Sequence, residues 1–329
     1  MSYLPEETPI DPEQPAGPIA PASAFPHGLP GTAPELMPQD PSVLPDLPLF
    51  RDYLTPEPEP QERIPHFGHV GILILLCLGS LFSTSLLARS ALYFHLFGIS
   101  TIQQALGDIH YTLGSEGLFY LITFGCSLIV FPILWRKGFF AGIHWRSDVA
   151  LRLRGALISA AMVCFLLALL NGWLIPSPSD TPIDRLFRMP GAAWILFAFG
   201  VTLAPFFEEL GFRGFLLPAL CTACDWTMEH TAGKLPRPLD ADGHPQWSLP
   251  AMAIGSLLTS LPFALMHADQ TGYAVGPFLL LLTVSLVLCI TRLATRSLAA
   301  SVLVHASYNF FLFTLMMVGT HGFRHLEHM

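Results

Sequence analysis

Charged residues are scarce in this sequence: Asp, Glu, Lys and Arg make up only 12% of its 329 residues, whereas 52% are hydrophobic. An average soluble protein carries about 25% charged residues. Basic residues are the scarcer sign, with 16 Lys and Arg against 24 Asp and Glu. The composition therefore excludes a soluble enzyme, and the lack of a basic face excludes a nucleic-acid-binding protein. The motifs HExxH, GxSxG and GxxxxGK[ST] are also missing, so zincin, α/β-hydrolase and P-loop folds have no support.

Long apolar runs are absent from residues 1–66, a segment that instead holds 17 of the 30 prolines and 11 of the 24 acidic residues. Its first residues lack the basic and apolar parts of a signal peptide. Such a segment cannot bury enough apolar surface to offset its ordering entropy, so we expect a disordered or loosely polyproline II tail. Two roles are open for this tail. Its composition favours a spacer, and the alternative is a ligand for the proline-binding groove of a cytosolic partner.

Apolar runs dominate residues 67–329, which we predict to form a transmembrane helical domain. A membrane helix needs about 20 apolar residues. Seven runs reach or approach this length: 69–90, 117–135, 155–175, 191–207, 250–267, 273–291 and 298–318. We therefore predict an all-α fold, a polytopic membrane helical bundle of about seven transmembrane or re-entrant helices. The sequence marks the run 250–267 as a partial or tilted span, because it is short and ends in His267.

Two further segments are predicted to lie outside the membrane core. Residues 92–110 mix apolar and polar positions, which favours a helix at the membrane interface. Residues 221–249 are rich in Pro, Asp, Gly and His, which favours a polar loop.

Basic residues in short loops set the expected orientation in the membrane. They cluster between the second and third runs, and others follow the fourth and sixth runs. We therefore predict an integral membrane protein whose basic loops lie in the cytoplasm. Its N-terminus is then cytoplasmic and its C-terminus external.

Charged residues at membrane depth are costly, so they are candidates for function. Glu208, Glu209 and Arg213 follow directly after the fourth apolar run. Glu209 and Arg213 are four residues apart, with the acid first, which is the favourable order for a helical ion pair. Glu208 points about 100° away on a helix and cannot share this arginine equally. Glu208 is therefore the candidate general base, whereas a purely structural Glu–Arg pair is the alternative.

Polar side chains also occur at the end of the fifth run and inside the seventh, as His267, His305 and Asn309. His305 and Asn309 lie at positions i and i+4, so both project from one helical face. A pair of donors of this kind could hold the oxyanion of a tetrahedral intermediate. A single membrane histidine is more often a hydrogen-bonding partner in helix packing. The prediction of a catalytic site therefore rests on the combination of these residues with Glu208, Glu209 and Arg213.

The strings EELGFRGFL at 208–216, FALMH at 263–267 and HASYN at 305–309 resemble three motifs of one family, EExxxR, FxxxH and HxxxN/D. These are the CPBP proteases (CaaX-processing and bacteriocin-processing enzymes, or Abi family), which include the type II CaaX prenyl endopeptidases. The resemblance covers residues 190–318 as a protease-like core. It implies that Glu208 and His267 activate water, that Glu209 and Arg213 support them, and that His305 and Asn309 lie on the oxyanion side.

The resemblance leaves the need for a metal open. A glutamate with two histidines is an acceptable Zn²⁺ set, so Glu208, His267 and His305 would be the ligands if a metal were present. The family is often labelled metalloprotease, whereas its CaaX branch is interpreted as using glutamate-activated water without a metal.

The sequence thus predicts an intramembrane endopeptidase that cleaves a membrane-associated, hydrophobic or prenyl-type protein substrate near the cytoplasmic face. The partners implied are this substrate and the lipid bilayer, with no nucleic acid. Two alternatives from other classes remain: a membrane transporter or proton relay, and a pseudoprotease scaffold that binds hydrophobic tails. Secondary transporters often contain repeated halves, and this sequence shows no internal repeat.

Overall fold

The computed structural model describes residues 63–175, 180–189, 191–233, 235–240 and 245–324. All but the last four residues of the predicted tail, 1–66, lie outside this part of the chain.

Within the described residues, seven helices are long and apolar enough to cross a membrane. They are α1 (Phe67–Tyr93), α2 (Ile109–Trp135), α3 (Arg154–Leu174), α4 (Ala192–Thr231), α5 (Leu249–Met266), α6 (Val275–Thr295) and α7 (Leu298–Gly319). Shorter helical segments span Leu96–Gly98, Ile102–Leu106, Phe139–Gly142, Ser147–Arg152 and Pro182–Phe187. This architecture confirms the predicted all-helical fold and indicates an integral membrane protein.

The outer surfaces of the long helices are apolar. On α1 and α2, for example, Phe82 and Ile133 are 72% and 73% exposed. Large contiguous apolar surfaces are rare on soluble monomers and mark contact with a membrane or a partner. Because the helices are apolar on their outer as well as their inner faces, lipid is the solvent that suits them.

The C-terminal helices pack around one another and thereby position the site described below. Helix α7 packs against α3 and α6, and α5 packs against α6 and the last part of α4. The buried core between α3, α6 and α7 includes Leu157, Ala161, Val284, Leu288 and Val304. Small residues such as Ala161 allow membrane helices to approach closely.

The predicted interfacial helix over residues 92–110 is wrong in its bounds. The chain instead forms two short helical turns, and α2 begins already at Ile109. Gly98 adopts a left-handed conformation, with φ +73°, that interrupts a continuous helix. Asp108 then caps α2, because its carboxylate accepts hydrogen bonds from the backbone N–H groups of His110 (2.8 Å) and Tyr111 (3.0 Å). The bond from Tyr111 lowers the pKa of the Asp108 carboxyl below its ordinary value.

The predicted polar loop 221–249 is also wrong in its first part, because α4 continues as a helix to Thr231. The residues that follow fold back onto this polar end of α4. The Trp247 indole donates to the Thr222 hydroxyl (3.1 Å), and the Ser248 backbone N–H donates to the buried Asp225 carboxylate (2.9 Å). A helix stabilised by such contacts needs no apolar run, so hydropathy does not reveal it.

The orientation can be tested with reporters at two points of the chain. We expect a reporter fused after Met329 to lie outside the cell, and one inserted between Thr231 and Leu249 to lie in the cytoplasm, since α5, α6 and α7 are three crossings. Glycosylation or alkaline phosphatase fusions measure this. Both reporters on one side would contradict three crossings, and an exchange of sides would contradict the orientation assigned from the basic loops.

Candidate active site

Helix α4 is irregular where it carries the two glutamates. It consists of the α-helical pieces Ala192–Val201 and Leu203–Glu209, a π-helical stretch Leu210–Leu216, and the α-helix Leu217–Thr231. π-Helical turns are rare and are found frequently at functional sites. Here the π-helical stretch begins directly after Glu209 and contains Arg213.

Glu209 and Arg213 form the predicted ion pair, with 2.9 Å between Oε1 of the acid and Nη1 of the base. Neither side chain is exposed to solvent. Nη2 of Arg213 donates to the backbone carbonyl (3.0 Å) and to the hydroxyl (2.6 Å) of Ser285 on α6. The guanidinium also lies 4.5 Å from the centre of the Phe263 ring on α5. Arg213 therefore joins three helices at one buried point.

The Glu209 carboxylate has two further partners, both on α7. Its Oε1 lies 2.9 Å from Nδ1 of His305, and its Oε2 accepts a hydrogen bond from the Ser301 hydroxyl. Because an ionised carboxylate only accepts hydrogen bonds, Nδ1 of His305 carries the proton in this contact. Glu209 thus fixes the orientation of the His305 ring, and the Nε2 atom of His305 points toward Glu208.

Glu208 lies opposite both histidines. Its Oε2 is 3.7 Å from Nε2 of His267 and 3.7 Å from Nε2 of His305. The Nδ1 of His267 is 2.8 Å from the Phe263 carbonyl oxygen, which can only accept, so Nδ1 carries the proton there as well. Both imidazoles therefore present Nε2 to one carboxylate oxygen. A separation of 3.7 Å is too long for a direct hydrogen bond.

Glu208, His267, His305 and Asn309 all line one cavity of about 390 Å³. The Asn309 side-chain amide donates to the Gly200 carbonyl (2.8 Å), and an amide nitrogen has a second N–H. The remaining walls are mainly apolar and aromatic, with Leu113, Leu196, Phe199, Phe263, Leu281 and Phe313 among them. Of the six predicted site residues, four therefore share the cavity, while Glu209 and Arg213 lie fully buried behind it. A larger cavity of about 830 Å³, bordered by residues of α1 and α2, includes none of the six.

The cavity occupies one half of the bundle. It is bordered by the first parts of α2, α4 and α6, the end of α5, and α7 from His305 onward. Ile183 and Leu186 of the short helix Pro182–Phe187, and Gln270 and Thr271 after α5, complete it. The basic loop between α2 and α3 follows Trp135, at the opposite end of α2. Two predictions therefore conflict in this fold. If the basic loops lie in the cytoplasm, the cavity cannot lie near the cytoplasmic face. With the orientation kept, the cavity lies in the external half.

Three residues of this arrangement are not predicted by the sequence. Ser285 and Ser301 complete the hydrogen bonding of the ion pair, but a serine in an apolar run gives no distinctive signal. Glu116 on α2 also lines the cavity. It is the only acidic residue between Asp108 and Asp148, and its place beside an apolar run was the available signal.

The three candidate metal ligands do not form a metal site in this geometry. The described residues contain no group of three His, Cys, Asp or Glu side chains that could hold a metal ion.

The family comparison covers the segment that holds the site. Residues 190–311 match the family model described as Rce1-like type II CAAX prenyl endopeptidase. This match confirms the resemblance drawn from the three motifs, and all six predicted site residues lie within it. No curated protein and no solved structure matches the chain.

The buried pair gives a stability prediction. We expect Arg213→Ala to lower the free energy of unfolding by about 3–5 kcal/mol, because it leaves Glu209 buried without its cation. Arg213→Lys should fall between, since lysine keeps the charge but not the two-pronged geometry. Thermal unfolding of the purified protein in detergent measures both.

A matched control is Arg152→Ala, which removes an arginine also paired at i,i+4, with Asp148 at 3.8 Å, but with both side chains more than two-thirds exposed. We expect a loss of at most about 0.5 kcal/mol there. Equal stability of the two alanine variants would contradict the structural role of Arg213.

Proposed function

We propose that this protein, whose residues 190–311 form a domain of the Rce1-like type II CAAX prenyl endopeptidase family, hydrolyses a peptide bond within the membrane by means of water activated by Glu208. The family is one of intramembrane proteases, so its substrates are proteins. The observation that carries the mechanism is the convergence of Nε2 of His267 and Nε2 of His305 on Oε2 of Glu208, at 3.7 Å each.

In the proposed first step, Glu208 accepts a proton from water while the water oxygen bonds to the carbonyl carbon of the substrate. His267 positions this water, because its protonated Nδ1 leaves Nε2 free to accept. The product is a tetrahedral intermediate with negative charge on the former carbonyl oxygen. General base catalysis by a positioned carboxylate contributes about 10²–10⁴-fold to the rate.

The charge on the intermediate is stabilised by donors from α7. His305 is one of these donors, because the Glu209 carboxylate holds its Nδ1 and directs its Nε2 toward the oxyanion. The second N–H of the Asn309 amide is the other donor, since its first is bonded to Gly200. When the intermediate collapses, the carbon–nitrogen bond breaks and Glu208 returns its proton to the leaving amine.

Glu209 and Arg213 are positioning residues in this proposal, because they are fully buried and act through His305. The carboxylate of Glu209 is already engaged by Arg213, His305 and Ser301. It therefore has little capacity left for a substrate or a proton. Its role is to hold the His305 ring in its orientation.

The lining of the cavity indicates the kind of substrate. Apolar and aromatic side chains form most of its walls, and the helices around it are long and apolar enough to cross a membrane. A hydrophobic or prenyl-type segment of a membrane-associated protein suits such walls better than a soluble polar peptide. In the predicted orientation this segment enters from the external half of the bundle.

The proposal is tested by Glu208→Gln, which keeps size and hydrogen-bonding capacity but cannot accept the proton. We expect the cleavage rate to fall by about 10²–10⁴-fold, with thermal stability in detergent unchanged. The measurement is hydrolysis of a hydrophobic peptide library by the purified protein, read by mass spectrometry.

A suitable control is Asp148→Asn, which makes the same chemical change at an exposed site between α2 and α3. It should keep full activity. Undiminished cleavage by Glu208→Gln would contradict the mechanism. Substrate binding without hydrolysis by the wild-type protein would instead favour the pseudoprotease scaffold.

A further inference from the structure

Glu116 brings a second carboxylate into the cavity of Glu208. It lies on α2, outside the family domain at residues 190–311. A carboxylate at membrane depth is costly unless it serves a purpose or has a partner. Its role is therefore a property of this chain that the three family motifs do not explain.

The Glu116 side chain is held in place by Tyr120, one helical turn further along α2. The Tyr120 hydroxyl donates to Oε1 of Glu116 at 3.0 Å. The Tyr120 ring in turn stacks on Phe207 and Phe199 of α4, with centroid distances of 4.5 and 5.9 Å and interplanar angles of 13° and 18°. Since Phe207 directly precedes Glu208, this stack fixes Glu116 relative to the candidate general base.

Apart from two histidines, the charged residue types among the described residues that line the cavity are acidic. Among its lining residues in the described part of the chain, Glu116 and Glu208 are carboxylates and none is Lys or Arg. Arg185 and Arg188, near the cavity-lining helix Pro182–Phe187, are both paired with Asp180, at 3.2 and 2.8 Å. Glu116 is bonded by a neutral phenol, which satisfies one lone pair and leaves its charge unbalanced.

Glu116 is exposed on α2 where it borders this largely apolar cavity. A cationic group is the ligand that complements such a carboxylate, because opposite charges attract and no Lys or Arg is among the described lining residues. We infer that Glu116 binds a Lys or Arg side chain of the peptide substrate, close to the bond that Glu208 hydrolyses. This inference rests on the proposed function and narrows its substrate class to hydrophobic segments that contain a basic residue. An acidic residue at the same position would be repelled by both carboxylates.

The first experiment measures binding without catalysis, so that it does not depend on turnover. The Glu208→Gln protein, in nanodiscs, is titrated with three fluorescent 12-residue Leu- and Ala-rich peptides that differ only in one central residue, Lys, Gln or Glu. We expect the Lys peptide to bind at least about ten-fold more tightly than the Gln peptide, and the Glu peptide to bind most weakly.

Adding Glu116→Gln to this background removes the charge but keeps an oxygen that accepts from Tyr120. We expect Kd for the Lys peptide to rise about ten-fold, to the value of the Gln peptide, whose own Kd should not change. Ser115→Ala, one residue away, is the matched control and should alter neither. Equal binding of the three peptides, no detectable binding of the Lys peptide, or an equal effect of Glu116→Gln on all peptides would overturn the inference.

The second experiment separates this inference from the proposed function. With Glu208 intact, Glu116→Gln should raise KM for the Lys peptide about ten-fold and change kcat less than about two-fold. Charge-selective binding without any cleavage would contradict the proposed hydrolysis but support the cation site. Cleavage that is abolished by Glu208→Gln but is indifferent to the charge at position 116 would support hydrolysis and overturn the cation site.

Discussion

Two opposite charges, on Glu209 and Arg213, lie where neither side chain reaches solvent. Taking each ion out of water costs several kcal/mol, and the attraction between them offsets this only when their other hydrogen bonds are also made. Ser285 on α6 and Ser301 and His305 on α7 make those bonds. The requirement to satisfy the pair therefore fixes how α4 packs against α6 and α7, and with it the position of the His305 ring beside Glu208.

The number and approximate place of the membrane helices could be predicted from the sequence, because an apolar run of sufficient length has few alternatives. The polar end of α4 could not. Residues after Cys221 are helical because Thr222 and Asp225 bond to Trp247 and Ser248, and these partners are more than 20 residues away. The break at 92–110 likewise depends on the conformation of Gly98 and on the Asp108 cap.

Helical spacing also predicted part of the site, since Glu209 with Arg213 and His305 with Asn309 are i,i+4 pairs on single helices. Helical spacing could not predict the contacts between different helices. Nothing in the spacing indicates that Ser285 would meet Arg213, or that Asn309 would bond the Gly200 carbonyl. The direction in which the cavity extends also depends on packing, and for this reason the expected cleavage near the cytoplasmic face conflicts with the orientation of the basic loops.

The π-helical stretch Leu210–Leu216 has a consequence for how α4 tolerates changes in length. Each residue of an α-helix turns the chain by about 100°, and each residue of the wider π-helix turns it by less. The π-helical stretch therefore changes the direction in which all the following side chains of α4 point. The part before the stretch faces the cavity, whereas the part after it presents Cys221 to Gly255 of α5, where a Cβ added to the glycine would come within 2.7 Å of the sulfur. Deleting one residue here would regularise the helix yet rotate this tightly fitted face out of register. Helix α4 can therefore have either a regular helical backbone or the correct alignment of its two halves, but not both.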